Sequence, residues 1–208
     1  MESNDVLVKY LTQIHIIKSK DVEAAFRNVD RAKFVNPKYI KFAYENGPLP
    51  TYDKQTISQP LVVALMTERL NVKKGQNVLE IGAGSGYQAA ILSELVGPKG
   101  RVFTIERLKK LYDFASKNLE NYKNVKVIYG DGSKGYEKEA PYDRIILTAS
   151  AENFPEPLFK QLKEGGRIMV PIGKPLESKL MLIQKVDGEQ LEWSLDDVRF
   201  VPLLEGKG

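Results

Sequence analysis

One histidine, no cysteine and a short cluster of glycines and acids bound the chemistry open to this chain of 208 residues. The stretch "NVLEIGAGSGYQAAIL" sets Gly82, Gly84 and Gly86 at alternate positions, with Glu80 just ahead of them. Glycines there let backbone and helix N-terminal N–H groups approach a polar ligand directly. Glu106 follows about 20 residues on, where a carboxylate can accept both hydroxyls of a ribose. "YGDG" then places Asp131 beside Gly132, which suits an exocyclic adenine amine or an ordinary turn. His15 is the only imidazole, and on a helix it would share a stripe with Leu11 in a structural role. Thiolate nucleophiles, Cys-ligated zinc, Ser-His-Asp hydrolysis and His-ligated metals are thereby excluded, and no metal site is expected. Carboxylates, hydroxyls, backbone amides or a borrowed cofactor must do the work.

The elements that would position these groups follow from periodicity. From Gly75, strands alternate with helices: "NVLEIG", "GRVFTIE", "VKVIYGD", "YDRIILTAS" and "RIMVPIG" read as strands. "SGYQAAILSELV", "RLKKLYDFASKNLE" and "PEPLFKQL" read as the helices between them, and "KEGG" as a turn. That alternation predicts an α/β fold: a Rossmann-like, doubly wound, mostly parallel sheet with helices on both faces. "KLMLIQKVDGEQLEWSL" reads as two antiparallel strands around Asp187-Gly188, and "DVRFVPLL" as a last strand. Ahead of the core, "DVLVKYLTQI" and "SKDVEAAFRNV" read as extra N-terminal helices, the second with Ser19 as a cap. "PKYIKFAYENGPLPTYDKQTISQP" has no clean period and reads as a long loop that covers a site. Ser58 and Pro60 fit the start of a helix over "PLVVALMTERL". One domain is expected over 1–208, with helices and a covering loop in 1–70 and the core in 71–208.

The net charge of +4 is a mild basic balance that fits a Lys-rich solvated surface. No stretch reads as a signal peptide or a membrane span, so a cytoplasmic protein without membrane partners is expected.

The glycine turn by itself fits a nicotinamide dinucleotide and S-adenosyl-L-methionine equally, or a plain tight turn. Three details favour S-adenosyl-L-methionine. The spacing is G-x-G-x-G and not G-x-G-x-x-G. Glu80 would oppose a pyrophosphate but suits a cationic amino group and a sulfonium. Asp131-Gly132 offers the adenine acceptor. Together E-x-G-x-G-x-G, Glu106 and Asp131-Gly132 resemble a class I S-adenosylmethionine-dependent methyltransferase.

From the N-terminal helices to its end, the chain more closely resembles the protein-L-isoaspartate O-methyltransferase family. "QTISQP", "VLEIGAGSGYQAAIL", "YDRIILTASAENFPEPLFKQLKEGGRIMVPIG" and "VRFVPL" carry the resemblance. It implies methylation of the free carboxylate of isoaspartyl residues in polypeptides, and an ester that converts through succinimide towards aspartate. It implies Ser58 as the active-site serine, with Thr56 and Ile57 in the segment closing over cofactor and substrate. It also implies Glu106 as ribose ligand, and Asp131 and Gly132 as adenine contacts. Some relatives carry histidines after "TISQP"; here the stretch is "QPLVVALM", so no shared chemistry can need them. A carboxylate is already ionised at neutral pH, so no general base is required. The D-P-P-Y-type amine clamp of nucleic-acid methylases is replaced by "LTASAENFP", which points away from nucleic acid. The rival readings are a methyltransferase for RNA or a small molecule, a non-catalytic binding module and a nicotinamide oxidoreductase. Homo-oligomerisation has no signature in the sequence.

Overall fold

The computed structural model describes residues 1–174 and 177–208. Helices α1 (Asn4–Gln13) and α2 (Lys20–Asn28) open the chain, capped by Ser3 and Ser19, whose hydroxyls accept from Val6 and Val22 N–H. Each buries one apolar stripe: Leu7, Val8 and Leu11 on α1, Val22, Ala25 and Phe26 on α2. The cap residue Ser19 also donates its N–H and hydroxyl to Glu68 of α3 (Pro60–Leu70), at 2.8 and 3.1 Å. Between α2 and α3 the expected loop carries 3-10 turns over Arg31–Phe34 and Pro37–Phe42. It also holds a two-residue ladder, with β1 (Leu49–Pro50) antiparallel to β2 (Thr56–Ile57). These short elements meet their backbone demands locally, which leaves no periodic trace in the sequence.

The core is a seven-stranded sheet of order β5-β4-β3-β6-β7-β8-β9. Its strands are β3 (Asn77–Ile81), β4 (Arg101–Glu106), β5 (Val125–Tyr129), β6 (Tyr142–Leu147), β7 (Leu162–Lys174), β8 (Glu177–Val186) and β9 (Glu189–Val198). The strands from β5 to β7 in that order are parallel, and β8 and β9 are antiparallel. Strands β3, β4 and β6 are apolar runs because both their faces are covered. Helices α1 to α4 pack on one face, with α4 (Tyr87–Val96) buried along its whole length. Helix α5 (Lys109–Asn118) adds Ala115 to the same side. Leu158 and Phe159 of α6 (Glu156–Lys160) close the other face over Leu79, Ile81 and Ile145. The order reverses between β3 and β6, which opens a crevice beyond their carboxyl ends.

Several local expectations change. "KEGG" is not a turn but part of β7, which starts at Leu162 opposite Tyr142. A register shift between Tyr142 and Arg144 accommodates Gly165 at φ +72°. "DVRFVPLL" is not a separate strand: β9 runs on to Val198, and beyond it Pro202 makes one bridge to Ser150. His15 lies beyond the end of α1, exposed and at φ +58°, so it shares no stripe with Leu11. The cap of α3 is Gln59 and not Ser58, since Pro60 takes the first helical position. Asp187 and Gly188, at φ +51° and +82°, do form the tight β8–β9 hairpin turn. No described helix is long and apolar enough to cross a membrane.

Candidate active site

The crevice is built strand by strand. β3 ends in Glu80 and Ile81, and the chain turns through Gly82, Gly84 and Gly86 into α4. Gly82 sits at φ +95°, and a Cβ there would overlap the Thr148 hydroxyl. That hydroxyl is engaged with the Gly82 carbonyl at 2.6 Å and the Ile81 carbonyl at 3.1 Å, so it cannot yield. Gly84 faces open space, with nothing within 4 Å of where a Cβ would stand. Gly86, the N-cap of α4, packs against Leu119 and lies outside the cavity lining.

Glu106 ends β4 and is buried. Its two oxygens accept from the N–H groups of Gly84 at 2.9 Å and Leu108 at 3.0 Å. The acid therefore braces the glycine turn, and its remaining lone pairs face the cavity it lines. Gly132 closes the next strand's end against Ile81 and lines the same cavity. Asp131 does not line it. Its carboxylate accepts from Ser133 N–H and hydroxyl at 2.9 and 2.7 Å, and from Gly206 N–H at 2.7 Å. Burial alone would raise this acid's pKa, but those three donors and the nearby Lys134 bring it below the ordinary value.

Glu80 is the least compensated group. It is fully buried, lines the cavity, and neither carboxylate oxygen has a partner among the described residues. Burial pushes its pKa up to about 8; the Thr104 hydroxyl offsets part of the rise and the Glu106 charge adds to it. A cationic group delivered by a ligand would supply the missing partner. The walls beside it, Val63, Met66, Ile105 and Leu111, are apolar and suit an aromatic base and methylenes. The residues thus fit a ligand that joins a cation, a ribose and a base.

The roof comes from two separated segments, residues 55–58 and 200–204. Thr56, Ile57 and Ser58 all line the cavity. Thr56 and Ser58, with Thr148, Phe200 and Val201, also line an open groove that continues past Ile172, Ser178 and Lys179. Ser58 stands in the wall between cavity and groove. Its hydroxyl caps no helix and makes no hydrogen bond among the described residues. Sequence reasoning missed Thr148, Tyr87 and Arg31. Thr148 sits in the quoted "LTAS", but only its contact with Gly82 reveals its use.

Sheet order, glycine turn and strand-end acids together define a class I methyltransferase, a Rossmann-like α/β fold. The description "Protein-L-isoaspartate(D-aspartate) O-methyltransferase (PCMT)" matches residues 2–208, and the chain belongs to that family. A protein-L-isoaspartate O-methyltransferase of Thermococcus sibiricus is 48% identical over 208 residues, covering 97% of this chain and 93% of its own. One of Methanopyrus kandleri is 46% identical, covering 97% and 91%. A Plasmodium falciparum protein described as a member of the same family was solved in complex with S-adenosyl-L-homocysteine. It superposes with a TM-score of 0.88 at 29% identity, covering 98% of this chain and 99% of that one.

Proposed function

We propose that this chain methylates the free α-carboxylate of L-isoaspartyl residues in damaged polypeptides, with Ser58 orienting the acceptor and the glycine-turn cavity holding the donor. S-adenosyl-L-methionine, when bound, supplies a methyl group carried on a sulfonium. Glu80 would hold its amino group, with Gly82, Gly84 and Gly86 shaping the turn against it. Glu106 would hold the ribose and Gly132 would lie against the adenine, while Asp131, outside the lining, braces the Gly132 turn and the Gly206 segment. Thr56 and Ile57 close over the cavity and present the substrate chain to it.

One observation carries this reading: Ser58 lines both the glycine-turn cavity and the adjoining groove, with its hydroxyl free among the described residues. An acceptor carboxylate arrives already ionised, so this chain needs no base at that point. The task left to Ser58 is to fix one carboxylate oxygen in line with the donor. Alignment of this kind supplies roughly 7–11 kcal/mol. A strong hydrogen bond to the attacking oxygen itself would blunt it, so the serine's contribution is positional. A single added methylene distinguishes isoaspartate from aspartate, worth only about 1–3 kcal/mol in a pocket. Holding the substrate backbone in the groove makes a misplaced carboxylate cost more.

The ester then leaves through succinimide without the enzyme, returning normal aspartate. Residues 1–70 and 71–208 act as one domain, in the cytoplasm, on polypeptide and not nucleic acid. The test is methyl transfer to matched isoaspartyl and aspartyl peptides and to total RNA. Ser58→Ala should keep S-adenosyl-L-homocysteine affinity and lose turnover on the isoaspartyl peptide alone. Transfer to RNA in preference to peptide would overturn the substrate, and undiminished turnover in Ser58→Ala would remove the serine from the mechanism.

A further inference from the structure

We propose that Arg31 is a positioning residue for methyl transfer: its guanidinium holds the Ser58 peptide, and with it the wall between cavity and groove, in register for the acceptor carboxylate. The proposal rests on the role given to Ser58 above.

Arg31 is fully buried and is the largest such side chain in the molecule's described residues. It opens the 3-10 turn over Arg31–Phe34 and points inward, against the expectation for a charged residue in "VDRAKF". Its Nη1 donates to the Ala43 carbonyl at 2.6 Å. Its Nη2 donates to the carbonyls of Gly47 at 3.1 Å and Ser58 at 2.9 Å. One planar group thus gathers three points of the covering segment, a geometry that an ammonium cannot reproduce. A second clamp acts beside it: Asn46 accepts from Leu61 N–H at 3.0 Å, and its carbonyl accepts from the Gln59 amide at 3.1 Å.

Among the described residues no carboxylate pairs with this cation. Asp30, its sequence neighbour, is committed to Ala32 N–H and the Tyr44 hydroxyl. The Tyr87 ring lies 6.0 Å from the guanidinium carbon, and Tyr87 is itself a cavity wall. Nε has no partner among the described residues. Burial lowers the pKa only to about 10, so the group stays charged at neutral pH. A fold-holding staple would do better with a counter-ion, because an unpaired buried charge is expensive. What the guanidinium does hold is the Ser58 carbonyl, and with it the peptide that carries the free hydroxyl. The fold also has an unpartnered buried carboxyl, Glu80, in the cavity lining, whose pKa is pushed up to about 8 until a cation arrives.

Arg31→Lys keeps the charge without the fork, and Arg31→Gln keeps two planar donors without the charge. Each is measured for melting, for S-adenosyl-L-homocysteine affinity, and for kcat and KM on an isoaspartyl peptide, alone and combined with Ser58→Ala. Both should bind S-adenosyl-L-homocysteine within about threefold of the parent and lose at least about tenfold in kcat/KM. Arg31→Gln should show the larger rise in peptide KM, and Arg31→Lys the larger fall in kcat. In the Ser58→Ala background the further loss should shrink to less than about threefold, because the arginine acts through the serine. Turnover within about twofold of the parent in both variants would overturn the proposal. So would equal losses of ligand affinity and turnover, full additivity with Ser58→Ala, or failure of both variants to fold, each of which makes Arg31 a structural residue only. An inactive parent, or a fully active Ser58→Ala, would instead fault the function proposed above.

Discussion

Replacing Glu80 by Gln should make the ligand-free protein more stable and its stability less dependent on pH. The folded environment raises the carboxyl from 4.5 to about 8 because the group is buried without a partner. That gap corresponds to about 5 kcal/mol of penalty on the ionised form. The folded chain keeps a proton that the unfolded chain releases. Its contribution to stability is therefore fully present below about pH 4.5 and is lost at about 1.4 kcal/mol per pH unit until about pH 8. Glu80→Gln removes the titration. Between pH 5 and 8 the parent should lose about 4 kcal/mol relative to the variant, or about 8–16 °C in Tm for a domain of this size. Calorimetric melts of the ligand-free proteins at pH 5, 6.5 and 8 measure this directly. The same substitution should weaken S-adenosyl-L-homocysteine binding and flatten its pH dependence. In the parent, a ligand ammonium would draw the proton off Glu80, so affinity should rise with pH by up to about tenfold per unit. Parallel melting curves for parent and variant across that range would show that Glu80 is already ionised and compensated, and would refute the reasoning.

Two further predictions concern the frame around the site, and a third its unity with the core. Gly82→Ala should lose most cofactor affinity by titration calorimetry, since a methyl at φ +95° must displace the Thr148 hydroxyl from the carbonyls it holds; parent-like affinity would show that the turn tolerates a side chain. Phe26→Ala empties a fully buried position that meets Tyr87 edge-on at 6.3 Å, and should cost about 3–5 kcal/mol in urea unfolding. Because Trp193 of β9 is the only tryptophan, its fluorescence in urea reports on the far edge of the sheet. It should shift together with the helical signal, and a Trp193 transition that stayed put would mean that residues 1–70 fold apart from the core.

What could be read from the sequence was whatever depends on neighbours in the chain. The apolar runs of β3, β4 and β6 and the alternate glycines before α4 are local patterns, so both elements and the acids at strand ends were visible. What escaped depends on partners far away. Arg31 looks like a surface charge because the carbonyls that bury it are 12 to 27 residues distant. "KEGG" looks like a turn because Gly165 adopts a left-handed φ, yet pairing with β6 carries the strand straight through it. Ser58 looks like a helix cap because serine favours that place. The proline two residues later moves the cap to Gln59 and leaves the serine hydroxyl unspoken for.

A site without a general base can still turn over if charge holds the reactants and not the product. Glu80 offers an unpartnered carboxyl in the cavity lining, and the buried Arg31 guanidinium holds the carbonyl of Ser58 where cavity and groove adjoin. Before transfer, the sulfonium and the acceptor carboxylate are both charged; afterwards the thioether and the ester are both neutral. Any attraction that holds the acceptor by its charge therefore vanishes with the bond that forms, since a neutral ester has no net charge to hold. The spent donor keeps its amino group, which Glu80 would hold, while the methylated strand loses the charge that anchored it. Peptide should accordingly leave before S-adenosyl-L-homocysteine. Product inhibition by S-adenosyl-L-homocysteine should then be competitive against the donor and not against the peptide; the reverse pattern would mean that the groove, and not the cavity, retains the last product.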